Sequence, residues 1–205
     1  MKDRIILTIG RQFGSGGGLV GKQLAKALGI GYYDKELLAV AARESGLCQE
    51  TFERADERTD SGLSHALTAG YSCMGMYMPY PGILSNDGLF KFQSDAIRHL
   101  AEQESCVIVG RCADYILRDN PACLSFFLHD SKENRTNRIK SYRQINDEEA
   151  MEQMRKNDKT RAAYYNYYTN KTWGVAASYR LTIDVSVLGI DGTTAFIKDF
   201  VERAF

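Results

Sequence analysis

Two arginines stand where phosphate chemistry would want them. Arg11 follows the apolar run Arg4–Ile9 (RIILTI) and Gly10, and Arg111 follows Cys106–Val109 (CVIV) and Gly110. A charge placed directly behind a buried strand needs a partner, and a guanidinium is suited to bidentate contacts with phosphate. Between Arg11 and the next helical pattern lies Gly10-Arg-Gln-Phe-Gly14-Ser15-Gly16-Gly17-Gly18, in which five of nine residues are glycine. Glycines let backbone N–H groups turn inward and let an anion approach the chain closely. A helix N-terminus directly after the loop adds partial positive charge. Gly14, Ser15, Gly16, Gly17 and Gly18 are therefore candidate phosphate-binding residues. The competing reading is a plain connection between strand and helix, whose glycines would cost backbone entropy to no purpose.

The loop departs from the usual Gly-x-x-x-x-Gly-Lys-Ser/Thr pattern. With Gly14-Ser15-Gly16 set on the usual Gly-x-Gly, Gly17 falls where the lysine belongs and Gly18 where the magnesium-binding hydroxyl belongs. Arg11 is the candidate replacement for the charge and Ser15 for the hydroxyl. A second basic region runs from Ser131 to Arg161, with nine Lys or Arg against six Asp or Glu, an excess of three. For its arginines taken singly, a solvated helical face is as good a reading as a phosphate clamp. Tyr164, Tyr165, Tyr167 and Tyr168 form an aromatic stripe at helical spacing, better read as packing than as a base-stacking platform. Trp173 and the Met-rich stretch Met74 to Met78 carry no clear chemistry. His65, His99 and His129 show no metal-ligand spacing, and no metal site is expected.

Strands and helices alternate around these residues. Val20, Leu24, Ala27 and Leu28 predict a helix over 19–28, ended by Gly29 and Gly31. Tyr32–Tyr33 is a short second strand, and Asp34 can cap a helix over 35–45. A helix is expected over 89–104, strands over 106–109 and 124–128, and a short helix from Ala113 to Leu117, stopped before Pro121. Ser131 caps a basic helix to about Tyr142. Asn146 and Glu149 form a capping box for a helix to about Tyr168. The last strand is expected over 181–187, with Asp191 capping the final helix. The stretch from Leu47 to Asp87 is polar, then rich in Met, Tyr, Gly and Pro, and reads as loop with one short helix. Such alternation implies a parallel sheet covered on both faces, with ligands at the carboxyl ends of its strands.

Composition bounds the rest. The chain has 205 residues, enough for one domain with a sizeable core. Lys plus Arg and Asp plus Glu both number 26, so nothing global points to nucleic acid. The five cysteines, Cys48, Cys73, Cys106, Cys112 and Cys123, are odd in number and form no Cys-x-x-Cys pair, which favours a reducing, cytoplasmic setting. No apolar run is long enough to span a membrane, and Met1 to Ile9 has no signal-peptide core. Oligomeric state is not legible.

The segments ILTIGRQFGSGGGLVGKQLAKALG, GYYDKELL, VIVGRCADYIL, FFLHDSKENRTNRI and DKTRAAYY, in this order and spacing, resemble the cytidylate kinase family, especially its bacterial cytidylate-kinase-like branch. They cover most of the chain outside Leu47 to Asp87. In the family the third segment reads Gly-Arg-Asp, whereas here Cys112 follows Gly110-Arg111, with Asp114 nearby. The resemblance implies one α/β domain over 1–205: a P-loop kinase fold, with a parallel five-stranded sheet, helices on both faces and a helical lid at 131–161. Residues 47–87 would be a variable acceptor-side insert. It implies an ATP-dependent phosphotransferase acting on a nucleoside monophosphate or similar small acceptor, with Mg²⁺ held mainly by nucleotide and water, and small-molecule nucleotides as partners. Arg11, Arg111, Arg135, Arg138 and Arg161 would be catalytic. Asp34, Arg111, Asp158 and Arg161 would hold the acceptor. The alternative is a nucleotide- or anion-binding regulatory protein without turnover, since the loop lysine and hydroxyl are replaced by Gly17 and Gly18. A third possibility is the same fold acting on another acceptor.

Overall fold

The computed structural model describes residues 4–35 and 86–205. The expected helix over 35–45 beyond Lys35, Cys48, His65, Cys73, Met74 to Met78 and the insert up to residue 85 lie outside the described residues. Five strands, β1 (Ile6–Arg11), β2 (Gly31–Tyr33), β3 (Cys106–Val109), β4 (Cys123–His129) and β5 (Leu181–Asp184), form one sheet in the order β2-β3-β1-β4-β5. Every pairing is parallel, with Ile6 opposite both Cys106 and Cys123. β1 is therefore central, and the carboxyl ends of all five strands share one edge.

Side-chain alternation along β1 sorts the core into two layers. Leu7 and Ile9 face α1 (Gly17–Leu28) and the closing helix, meeting Val20, Leu24, Ile197 and Val201. Ile6 faces the other side, with α2 (Asn86–Gln103), α3 (Ala113–Ile116) and the later helices, where Ile97, Leu100 and Tyr165 pack. These strands are buried on both faces, as continuous apolar runs such as CVIV foretell. Gly21 lets α1 lie close on the sheet: a Cβ there would stand 3.0 Å from Val109. α1 ends as expected on Gly29 in the left-handed region, its N–H on Ala25 and Lys26 carbonyls.

A helical hairpin follows β4. α4 (Lys132–Arg143) is capped by Ser131, which accepts from the Asn134 N–H, and α5 (Asp147–Thr169) opens with the predicted Asn146–Glu149 capping box. The tyrosine stripe packs: Tyr168 stacks on Phe90 of α2 at 4.0 Å between centroids, and Tyr164 donates to Gln93. Trp173 sits edge-on to Phe127 of β4.

The last strand differs from expectation. It ends at Asp184, whose carboxylate accepts the Ser186 N–H and starts α6 (Val185–Ala204) there. The cap draws the chain out of the sheet, so Val187 and Leu188, apolar enough to read as strand, are exposed. Gly189, at φ 66°, breaks the helix into two runs. Asp191 is not the cap; it accepts from Gln23 and ties α6 to α1.

Candidate active site

The glycine loop joins β1 to α1 at the carboxyl edge, beside the end of β3. Gly14 and Gly16 have φ of 80° and 83°, conformations that side chains resist, and Gly16 is the N-cap of α1. Among the described residues no acceptor takes up the N–H groups of Gly14, Gly16, Gly17 or Gly18. Ser15 is different. It is fully buried, its hydroxyl donates to the Gln12 carbonyl at 2.9 Å, and its N–H turns to the same oxygen. Ser15 thus fastens the turn from within, and its hydroxyl is spent there.

Arg11 leaves the end of β1 and crosses the start of α1. A Cβ on Gly17 would lie 2.6 Å from Arg11 Cβ and 2.8 Å from Cγ, so the stem of Arg11 fills the space over Gly17. Its guanidinium ends against Gly110, itself at φ 83°, where a Cβ would collide with Nη1. Two glycines far apart in sequence clear the path of one arginine. Burial, then the charges of Arg161 and Arg111, push the Arg11 guanidinium down to about 9, while Tyr32 and Asp34 oppose this. It remains protonated at neutral pH.

Arg111 and Cys112 both adopt the left-handed region, at φ 60° and 55°. Two consecutive non-glycine residues there are strained, at a cost of order 1–3 kcal/mol each. The strained turn leads from the strand end into α3. Arg161, one turn before Tyr165 on α5, donates to the Arg11 carbonyl at 3.1 Å and lies over the Phe13 ring at 5.4 Å. Burial pushes its guanidinium down; Asp158 opposes this, and Arg111 and Arg135 add to it. Arg11, Arg111 and Arg161 form no ion pair with a described residue. The structure therefore gathers three guanidiniums that sense one another and form no ion pair with a described carboxylate. Asp34 follows β2 at the same edge and is close enough to favour Arg11's charge.

The remaining candidates sit under the loop. Arg135 is buried; its Nε donates to the Phe13 carbonyl at 2.8 Å and its Nη2 pairs with Asp158. Asp158 also accepts the Phe13 N–H at 2.7 Å. Arg138 donates to the Gly14 carbonyl and to Asp130, the latter at 3.0 Å. Sequence reasoning did not single out Asp130. It is buried, and holds Arg138, the Ser131 N–H and Asn134. Its only sequence signal is its position just past the end of a buried strand. Asp114, the nearby acid, faces away and accepts from Tyr165 at 2.8 Å. The thiols of Cys106 and Cys112 are pushed up to about 12 and that of Cys123 to about 11, chiefly by burial, so none is a ready nucleophile. Among the described residues no three His, Cys, Asp or Glu side chains cluster to hold a metal ion, and no helix is long and apolar enough to cross a membrane.

A five-stranded parallel sheet in the order 2-3-1-4-5, with a glycine loop from its central strand into a helix, defines a P-loop kinase fold. The chain belongs to the cytidylate kinase-like family, whose model matches residues 6–187. It is similar to an uncharacterized protein from Eubacterium ventriosum, at 31% identity and TM-score 0.73, over 97% of this chain and 99% of that one. It shares its fold with shikimate kinase from Bacteroides thetaiotaomicron, at 15% identity and TM-score 0.52, over 97% and 98% of the two chains. The same holds for a gluconokinase from Sinorhizobium meliloti, at 14% identity and TM-score 0.50, over 98% and 97%. No curated protein matches the chain.

Proposed function

We propose that this protein is a phosphotransferase that moves the γ-phosphoryl group of ATP to a nucleoside monophosphate or a similar small acceptor. The observation that carries this reading is the cluster of Arg11, Arg111 and Arg161, three guanidiniums that form no ion pair with a described residue, beside a loop whose glycine N–H groups meet no acceptor among the described residues. Bringing like charges together costs energy that a bound polyanion would return. Phosphoryl transfer asks little covalent work of the protein: it needs the reactants in line and the charge on the equatorial oxygens neutralised.

In this reading the N–H groups of Gly14, Gly16, Gly17 and Gly18 hold the donor phosphates, with the N-terminus of α1 behind them. Arg11 supplies the charge that a loop lysine supplies elsewhere. Arg111 and Arg161 face the transferring group and the acceptor phosphate, and Asp34 orients the acceptor. The P–O bond to the ADP leaving group breaks while a bond from the acceptor oxygen to phosphorus forms. Asp158, Arg135 and Arg138 hold the loop in shape and act on the reactants through it. Ile190 forms an apolar ledge beside Gly16, its side chain 3.1 Å from a Cβ placed there, with the exposed Val187 and Leu188 just before it in the chain. A donor base can rest on that ledge. Mg²⁺ would be held by nucleotide phosphates and water, since the Ser15 hydroxyl is turned inward to the Gln12 carbonyl.

The test is ADP release from Mg-ATP in the presence of CMP, other nucleoside monophosphates and small hydroxylated acids, alongside calorimetry. ADP formation that depends on one acceptor is expected, and Arg111→Gln should lower kcat/KM about 10²- to 10³-fold with unchanged thermal stability. ATP binding without turnover on any acceptor would instead establish a nucleotide-binding regulatory protein.

A further inference from the structure

A cavity of about 340 Å³ opens between α3 and the turn after it, the start of β4 and the segment that leads into β5. Its walls include Cys123 and Ser125 from the start of β4 and Arg180, which directly precedes β5. By register Cys123 stands opposite Ile6 and Ser125 opposite Thr8, so these wall residues lie four and two residues short of the level of Gly10. The size is at the lower end of pockets that enclose small ligands, about 300–1,000 Å³.

The polar inventory of the cavity is lopsided. Its carboxylates are engaged: Asp119 pairs with Arg118 at 3.5 Å, and Asp114 accepts from Tyr165. Arg118 is likewise occupied, donating to the Tyr115 carbonyl at 2.8 Å and lying over the Tyr115 ring. Lys171 and Arg180 remain, and neither forms an ion pair with a described residue. Burial pushes the Asp114 carboxyl up despite nearby Lys171, which weakens the one negative charge that could answer them. Ser125 accepts the Arg180 N–H at 3.1 Å, which fixes the start of β5 and leaves the serine proton to donate.

We propose that this cavity is a second anion site, separate from the arginine cluster, and that it takes a small dianionic ligand, a phosphate ester or a polycarboxylate, between Lys171 and Arg180. Arg180 supplies a planar donor fork and Lys171 a mobile point charge, the pairing that suits a compact oxyanion. Ser125 contributes one hydroxyl donor. The site does not depend on the proposed kinase reaction.

The test is amide chemical-shift mapping of the full chain titrated separately with inorganic pyrophosphate and with citrate. At least one probe should move the signals of Ser125, Lys171 and Arg180 saturably below about 10 mM, and Lys171→Ala/Arg180→Ala should weaken that response about tenfold or more. Both side chains are exposed, so the variant should keep its fold, which its unchanged remaining spectrum would verify. Arg11→Gln should leave these shifts in place. A response to pyrophosphate alone would assign a phosphate ligand, and one to citrate alone a carboxylate. Shifts confined to Gly10–Gly18 and Arg111, a response unaltered in the double variant, or no saturation with either probe would overturn the proposal.

Discussion

Arg11 and Gly17 have to be understood as one unit. From sequence, a lysine at position 17 would restore the usual loop. The structure shows why it would not: the stem of Arg11 occupies that volume, 2.6 Å from where a Cβ would be. Gly17→Lys is therefore expected to push Arg11 off Gly110 and to lower ATP affinity, measured by calorimetry, about tenfold. The exchange Arg11→Gly/Gly17→Lys should recover part of that loss, because it removes the obstructing stem while adding the cation. An affinity gain in the single variant would show that Arg11 is not the loop's cation. The positions of Arg11 and Arg111 were legible in the sequence, since strand ends and glycines mark a binding edge, whereas Arg161 was implied by the family resemblance. Their convergence was not legible, because it depends on a side-chain path cleared by two glycines about a hundred residues apart.

At the scale of elements, the α4–α5 hairpin is fastened to the glycine loop. Arg135 and Asp158 take the carbonyl and the N–H of Phe13, and Gly14 has no room for a side chain, with Ile139 2.8 Å and the Arg135 carbonyl 3.0 Å from a Cβ. The resemblance implied arginines of 131–161 aimed at phosphate, and the structure brings Arg161 beside Arg11 and Arg111. Arg135 and Arg138 are spent on loop carbonyls, a distinction that charge counting cannot make. Removing one partner of a buried pair strands the other, at about 3–5 kcal/mol. Arg135→Ala should thus lower the urea midpoint and slow turnover together. A loss of turnover with an unmoved midpoint would place Arg135 on the reacting phosphate instead. Helix starts at Ser131 and Asn146 were legible because capping chemistry is local. The end of β5 was not, because Asp184 and the apolar pair Val187–Leu188 give opposing signals, and the cap prevails.

For the whole molecule, Asp114 and Tyr165 join the turn that carries Arg111 to the helix that carries Arg161. The bond puts a carboxyl where burial holds its affinity for protons above the ordinary value of 3.8. A carboxyl raised in the folded state binds more protons there than in the unfolded chain. Its contribution is most favourable below 3.8 and is lost as pH rises through the raised value. Asp114→Asn keeps an acceptor for the Tyr165 hydroxyl and removes the titration. The variant should show a flatter dependence of stability on pH above 3.8 than the parent, read from denaturation midpoints across mildly acidic to neutral buffers. An identical pH dependence would mean that the carboxylate finds enough compensation in the fold to titrate normally.

The route taken by Arg11 also decides which reagents can find this protein. Acyl-phosphate nucleotide probes tag kinases by acylating an amine beside the donor phosphates, and Gly10 to Gly18 offers none. With nucleotide bound, such a probe would have to reach an amine outside the loop, such as Lys22 or Lys35, so its labelling should be weaker than for a kinase with a loop lysine. Dicarbonyl reagents, which close on guanidines, should mark it at Arg11 or Arg111, and a bound nucleotide should protect it.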